Sequence, residues 1–195
     1  MSFSRPTVRI IREGYLVRTG GAVTDASSTV TMVESAGARI VVDSGSPREC
    51  GLLKDALESA GIAPGSVSHL INTHLHVDHC GCNELFEKAR VYAHAYESPP
   101  VGVVRISERT RLLPGVELVP TPGHTGGSIS VFVTAEKRYA ICGDAIPSKG
   151  NYDSLVPPAI NIDPKLALQS LKAIVGWAEV VVPGHGPPFE VLAKK

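Results

Sequence analysis

The 195-residue chain has no run approaching the roughly 18–20 consecutive apolar residues that a membrane-spanning helix needs. Its start, "MSFSRPTVRI", lacks the apolar core of a secretory leader, so a true mature end and retention in the cytoplasm are expected. Neither sign of charge is in excess, with 19 basic residues against 19 acidic ones. That balance provides no footprint for nucleic acid, although a local basic patch is left open. Aromatics make up only 5% of the chain beside 43% apolar residues, a composition neither disordered nor fibrous. Cysteine is scarce too. Cys50, Cys80, Cys82 and Cys142 have no spacing of a secreted disulfide framework, and Cys80 and Cys82 stand too close for a CxxC zinc knuckle or redox pair. Reduced, mostly packed thiols are therefore expected. One glutamine and four asparagines hint at a thermally stable source.

What remains fits one domain, residues 1–195, large enough to bury a real core and free of linkers, low-complexity tracts and short repeats. "VRIIREGYLV", "STVTMVES" and "ARIVVDSG" are β-branched runs and read as strands. A helix follows, with Ser46 as N-cap, Pro47 at its first position, Glu49 closing a capping box, and a stripe of Leu52, Leu53, Ala56, Leu57 and Ala60 up to Gly61. "HLINT" reads as a strand, "GCNELFEKA" as helical and "RVYAH" as a strand; residues 96–115 read as irregular. "VELVPTPG", "SISVFVTA" and "RYAICGDAI" are three more strands, followed by a loop, "PSKGNYDSLVPPAI". A helix capped by Asp163 with Pro164 behind it, and a buried strand, "EVVVPGHG", close the chain. Two sheets with helices outside account for this order.

Against these shortages stands one local excess. Of seven histidines, three fall within six residues of "NTHLHVDHCG": His74, His76 and His79, with Asp78 among them. Imidazole and carboxylate are the usual nitrogen and oxygen ligands of zinc and its neighbours. His74 and His76, two apart on extended chain, share a face. Asp78 and His79 fall where the chain turns and can reach a second position a few Å away, so the spacing suits two metals better than one. HxHxDH arises by chance in roughly one such sequence in several thousand. Three later stretches strengthen the signal: "TPGHTGGS" places His124 in a Gly-flanked loop, "CGDAI" places Asp144 after an apolar strand where a carboxylate needs a cation or donors, and "VPGHGP" places His185 at a strand tip.

This order of ligands, spread over residues 74–185, resembles the metallo-β-lactamase superfamily, and nearly the whole chain fits. The resemblance implies an α/β fold, an αββα four-layer sandwich of two mixed β-sheets flanked by helices, with a dinuclear site at one edge. It implies that His74, His76 and His124 hold one divalent ion, that Asp78, His79 and His185 hold the other, and that Asp144 bridges them. Asp43, in "VVDSG", matches an aspartate that supports the ligands. The implied activity is that of a hydrolase using a metal-bridged hydroxide on a small ester, thioester, lactone or related acyl compound, with Asp78 orienting the nucleophile. Zinc is the first choice of metal, with iron and manganese open.

Within the superfamily the compact chain is similar to the metallo-β-lactamase domain-containing protein 1 group. Asp144 stands where secreted β-lactamases carry cysteine, and a flavin domain, a nucleic-acid domain and an added helical domain are not expected. His69 and His94 lack the motif and read as structural or supporting; Cys142 reads as packed. Lys149, Tyr152 and Tyr96 are candidate substrate contacts, with residues 96–115 and 145–160 as the expected cleft walls. A nuclease or phosphodiesterase, a mononuclear iron persulfide dioxygenase and a metal-binding module without catalysis are the alternatives. The expected partner is a small-molecule substrate, with no membrane; a homodimer is left open.

Overall fold

The structure, a computed structural model, describes residues 5–192; the expectation about the N-terminal end falls partly on residues 1–4, outside the described residues. Along the chain the strands are β1 (Thr7–Arg12), β2 (Tyr15–Thr19), β3 (Ala22–Ser27), β4 (Val30–Ser35), β5 (Ala38–Val42), β6 (His69–Ile71), β7 (Arg90–His94), β8 (Val104–Ile106), β9 (Thr110–Leu113), β10 (Val116–Pro120), β11 (Ile129–Thr134), β12 (Arg138–Ile141), β13 (Val180–Val182) and β14 (Phe189–Glu190). The helices are α1 (Cys50–Ser59), α2 (Val77–Cys80), α3 (Lys149–Ser154) and α4 (Pro164–Trp177). One six-stranded sheet runs β1-β4-β5-β6-β7-β8 and the other β14-β13-β12-β11-β10-β9, while β2 and β3 pair only with each other. Both large sheets are mixed: the pairs β5–β6, β6–β7, β7–β8 and β12–β13 are parallel, and the other pairs are antiparallel.

The period of two along each strand sorts side chains into three apolar layers. Val33, Ile40, Val42 and Ile71 from the first sheet meet Leu118, Ile129, Val131, Ile141 and Val182 from the second. The alternate residues Met32, Val41 and Leu70 face outward onto Leu53 and Leu57 of α1. On the far side Phe132, Ala140 and Val181 pack against Leu171 and Ile174 of α4. Three apolar layers require four layers of chain, which is the αββα sandwich expected. Each fully buried Val, Leu or Ile contributes about 1.5–3 kcal/mol.

Several local expectations are corrected. Ser46 makes no side-chain cap; Pro47–Glu49 is a separate 3-10 turn, and Glu49 pairs with Arg12 instead of returning to the helix start. Leu52 is half-exposed and not part of the stripe. Glu13 and Gly14 interrupt "VRIIREGYLV", so its second half becomes a hairpin with β3. Residues 96–115 contain β8 and β9, 147–160 contain α3, and 81–89 hold only a 3-10 turn at Asn83–Phe86. Asp163 caps α4 as expected, accepting from the N–H groups of Lys165 and Leu166 at 2.9 and 3.0 Å. The thiols are not all reduced, because Cys50 and Cys82 form a disulfide across a separation of 32 residues. That pairing removes cysteine usage as support for a cytoplasmic site. Among the described residues no helix is long and apolar enough to cross a membrane.

Candidate metal centre

The carboxyl ends of strands from both sheets meet at one edge, and the sequence-predicted ligands lie there. β6 is only three residues long and hands over to an extended segment that carries His74 and His76 before α2 begins. Three contacts hold this handover. Asn72 N–H donates to the carbonyl of Tyr92 at 3.0 Å, and Ile129 N–H donates to that of Thr73 at 2.8 Å, tying the segment to the other sheet. The Asp43 carboxylate accepts from the N–H and the hydroxyl of Thr73 at 2.7 and 2.8 Å. Asp43 ends β5 with φ +57°, a left-handed conformation that Asp tolerates better than most residues.

The parallel strands β12 and β13 deliver Asp144 and His185 side by side. At Gly184 an added Cβ would collide with Asp144 Oδ1, and at Gly143, where φ is +47°, it would collide with the Thr73 hydroxyl. Glycine is needed at both positions for this close approach.

Hydrogen bonds set the tautomers. His124 Nδ1 donates to the carbonyl of Ile160 at 2.7 Å and His185 Nδ1 to that of Ser27 at 2.9 Å. His79 Nδ1 lies 2.8 Å from Asp43 Oδ2. The Thr73 hydroxyl, having given its hydrogen to Asp43, accepts from His74 Nδ1 at 3.2 Å. In their neutral forms all four histidines then turn a bare Nε2 into the cluster.

The donor atoms gather into overlapping groups. His74, His76 and His124 form one, Asp78, His79 and His185 another, and His74, His79 and Asp144 a third that joins them, with the donor atoms of each within 4.8 Å of one another. Asp144 serves both sides: Oδ2 lies 3.6 Å from His124 Nε2, and Oδ1 lies 3.4 Å from His79 Nε2 and 3.2 Å from His185 Nε2. Asp78 Oδ2 stands 3.7 and 3.9 Å from the same two nitrogens. A tetrahedral cation with bonds near 2.0–2.1 Å places its donors about 3.3 Å apart, so these separations fit divalent ions. His79 Nε2, Asp144 Oδ1 and His185 Nε2 are buried with no hydrogen-bond partner, which a folded protein avoids unless something else satisfies them.

The electrostatics agree. Burial, with neighbouring imidazoles, holds His74 well below the ordinary histidine range; burial also lowers His124. Burial pushes His79 down as well, but the carboxylates of Asp43 and Asp144 outweigh it and raise that imidazole well above its usual value. Asp144 is pushed up by burial and pulled well below the carboxylate range by His79 and His185. The carboxylates of Asp43 and Asp144 among these buried imidazoles favour positive charge at the centre.

The cleft above the cluster encloses about 450 Å³. Of the two expected walls, 145–160 contributes Ile160 and 96–115 contributes no lining residue: Leu16, Val23 and Asp25 of the hairpin face Pro47, Arg48, Val77 and Ile160, with His76, Asp78, His124, Asp144 and His185 at the floor. A smaller annex of about 310 Å³ beyond His185 is lined by Tyr15, Arg18, Ser148 and Asn151. Lys149 and Tyr152 are not brought into the cleft. Lys149 pairs with Asp153 at 2.6 Å, and Tyr152 stacks on Phe189, its hydroxyl accepting from Leu192 N–H at 3.0 Å. Ser148, just before α3, and Asn151 on it line the annex instead. Tyr96 is exposed beside His94. His69 stacks on Tyr92, His94 Nδ1 accepts from Tyr96 N–H, and Cys142 is buried, its thiol pushed up by desolvation. Thr73, Arg48 and the hairpin carried no motif in the sequence.

The family model of the metallo-β-lactamase superfamily matches residues 23–105, which include the HxHxDH segment. A Xenopus laevis protein named metallo-beta-lactamase domain-containing protein 1 is 34% identical across 95% of this chain and 82% of its own length. The chain belongs to the metallo-β-lactamase superfamily. It falls with the relatives of domain-containing protein 1, which include a Homo sapiens protein of that name at 39% identity over 82% of this chain. A Methanocaldococcus jannaschii protein named "Probable metallo-hydrolase" is 36% identical across 91% of this chain and 86% of its own. The Bacillus thuringiensis N-acyl homoserine lactonase AiiA is 31% identical over 60% of this chain and 54% of its own. A solved AiiA structure with N-decanoyl-L-homoserine at its active site shares the fold, with a TM-score of 0.74 over 95% of this chain and 94% of that one at 23% identity. Superfamily membership supports a metal-dependent hydrolase.

Proposed function

We propose that the chain is a dinuclear metal-dependent hydrolase of small esters, thioesters, lactones and related acyl compounds. One observation carries the reading: the two oxygens of Asp144 face different groups of histidines, Oδ2 toward His124 and Oδ1 toward His79 and His185. In this reading His74, His76 and His124 hold one ion, Asp78, His79 and His185 the other, and Asp144 is shared. Two divalent ions bound there, zinc by preference, would lower the pKa of a shared water to about 7 and polarise the substrate oxygen. Asp78 is the least enclosed of the two ligand carboxylates, its side chain 21% exposed at the cleft floor against 10% for Asp144. It is therefore placed to orient the attacking water and to hold its proton. Asp43 keeps the His79 ring in place through Nδ1.

The cleft favours acyl substrates over polyanions. Its volume suits a small molecule, and Leu16, Val23, Val77 and Ile160 give it an apolar side. Among the described residues Arg48 is the only Lys or Arg lining the cleft, with Arg18 in the annex, and Asp25 stands 3.9 Å from Arg48. A nucleic-acid groove would need repeated cations. The lactonase activity named for AiiA is consistent with the same substrate class.

Elemental analysis of the wild type, His124→Ala and His185→Ala tests the centre. About two ions in the wild type and about one in each variant are expected, followed by turnover in a panel of esters, thioesters and lactones. No metal in any variant after reloading would sink the proposal, and turnover confined to phosphodiesters would move it to the nuclease reading. One iron per chain, unaffected by His185→Ala, would move it to oxygen chemistry.

A further inference from the structure

We propose that Glu97 is a positioning residue for the first group of histidines: its carboxylate staples the segment carrying His74 and His76 to the loop carrying His124. The inference rests on the metal-centre reading above. Glu97 ends the 3-10 turn Ala95–Glu97 that follows β7. Its Oε2 accepts from Leu75 N–H at 3.0 Å, and its Oε1 accepts from Gly127 N–H at 3.0 Å. Leu75 is the residue between His74 and His76, and Gly127 stands three residues after His124. The two amides belong to segments that leave different sheets, so one carboxylate fixes the distance between them.

Three further observations make this an organised contact. No Lys, Arg or His nitrogen forms an ion pair with Glu97 among the described residues, so these two amides are its recorded partners. Gly127 has no room for a side chain, because an added Cβ would lie 2.6 Å from Glu97 Oε1 and 2.9 Å from Glu97 N. The turn is itself braced, with Tyr96 N–H donating to His94 Nδ1 at 3.1 Å and Ser98 N–H donating to the carbonyl of Ala95 at 3.1 Å. The arrangement parallels the other group, where Asp43 orients His79 and ties Thr73. Asp43 and Glu97 follow two parallel strands of one sheet, β5 and β7. Each places an anion behind one group of ligands, and the first group has only the shared Asp144 for a carboxylate.

Cobalt(II) titration of metal-depleted protein, followed by visible absorption, tests this. In a His185→Ala background it reads the first group alone, and in a His124→Ala background the second alone. Glu97→Ala is expected to weaken cobalt binding tenfold to a hundredfold in the first background, the range typical of lost outer-shell partners, and to leave the second unchanged. Glu97→Gln conserves shape but can accept only one of the two N–H groups, so it should fall between Ala and the wild type. It also keeps the test decisive if Glu97→Ala fails to fold. Unchanged affinity in the His185→Ala background, or equal losses in both backgrounds, would overturn the positioning role. A wild type that takes up no cobalt would instead bring down the metal-centre reading, and this proposal with it.

Discussion

Asp43 shows how much one buried side chain can organise. Its carboxylate accepts from Thr73 N–H, from the Thr73 hydroxyl and from His79 Nδ1, and it is only 2% exposed. In Asp43→Asn one oxygen becomes an NH₂ that faces groups which themselves donate. Metal affinity at the Asp78, His79 and His185 position is expected to fall tenfold to a hundredfold, measured by competition with a chelator. An affinity equal to the wild type's would show that His79 needs no such partner. Glu49 makes a separate prediction, about stability. Burial pushes its carboxyl up, but the Arg12 guanidinium, at 2.6 Å, outweighs burial and holds it below the usual carboxylate range. A depressed folded-state pKa means that the stabilisation is fully present above the ordinary glutamate value near 4.5 and is lost as pH falls through the lower folded value. Urea midpoints of the wild type and Glu49→Gln should therefore differ above pH 4.5 and converge only as pH falls through the lower folded-state value. A gap that persists at low pH would mean that the pair contributes by packing and not by charge.

The disulfide joins elements that the sequence leaves apart. Cys50 opens α1 and Cys82 follows α2, so the bond ties the helix beside the Pro47–Arg48 wall to the segment leaving Asp78 and His79. Closing a loop of 32 residues restricts the unfolded chain by about 3–4 kcal/mol in the chain-entropy picture. Cys50→Ser should cost about 2–4 kcal/mol in urea unfolding, and reductant should lower the wild type by the same amount and leave the variant unmoved. Pairing was not legible because it depends on how α1 lies against the loop after α2, and spacing alone does not carry that. The ligands were legible for the opposite reason: each follows directly from a strand end or a Gly-flanked loop, where local sequence decides which way a side chain points. The cleft wall was the least legible part. β2 and β3 pair only with each other, and the hairpin is tied down by contacts such as Ser46 N–H with the Ser27 hydroxyl, buried, 3.0 Å apart and 19 positions distant in sequence. Lys149 and Tyr152 lie near Asp144 in sequence, yet Lys149 pairs with Asp153 and Tyr152 packs on Phe189, while Ser148 and Asn151 line the annex.

The ligands are also divided between the two halves of the sandwich. His74, His76, Asp78 and His79 follow strand β6 of the first sheet, whereas His124, Asp144 and His185 follow β10, β12 and β13 of the second. Protein contacts across this edge are few and specific, among them Ile129 N–H to Thr73 at 2.8 Å and Thr29 N–H to Gly184 at 2.7 Å. Ions held by both sets would link the sheets directly, so binding free energy should appear as folding free energy. With free metal at a hundredfold its dissociation constant, one ion adds about 2.7 kcal/mol, which for a chain of this size raises Tm by roughly 5–10 °C. Chelator treatment should lower Tm by at least that much, and zinc should restore it. The control is a variant with all three ligands of the second sheet removed, His124→Ala with Asp144→Ala and His185→Ala: chelation should then shift Tm little, because the ligands remaining on the β6 side no longer cross the edge. If the wild type shows no shift although elemental analysis finds two ions before chelation and none after it, the ions bind the unfolded chain as well as the folded one, and a centre assembled across the two sheets is overturned.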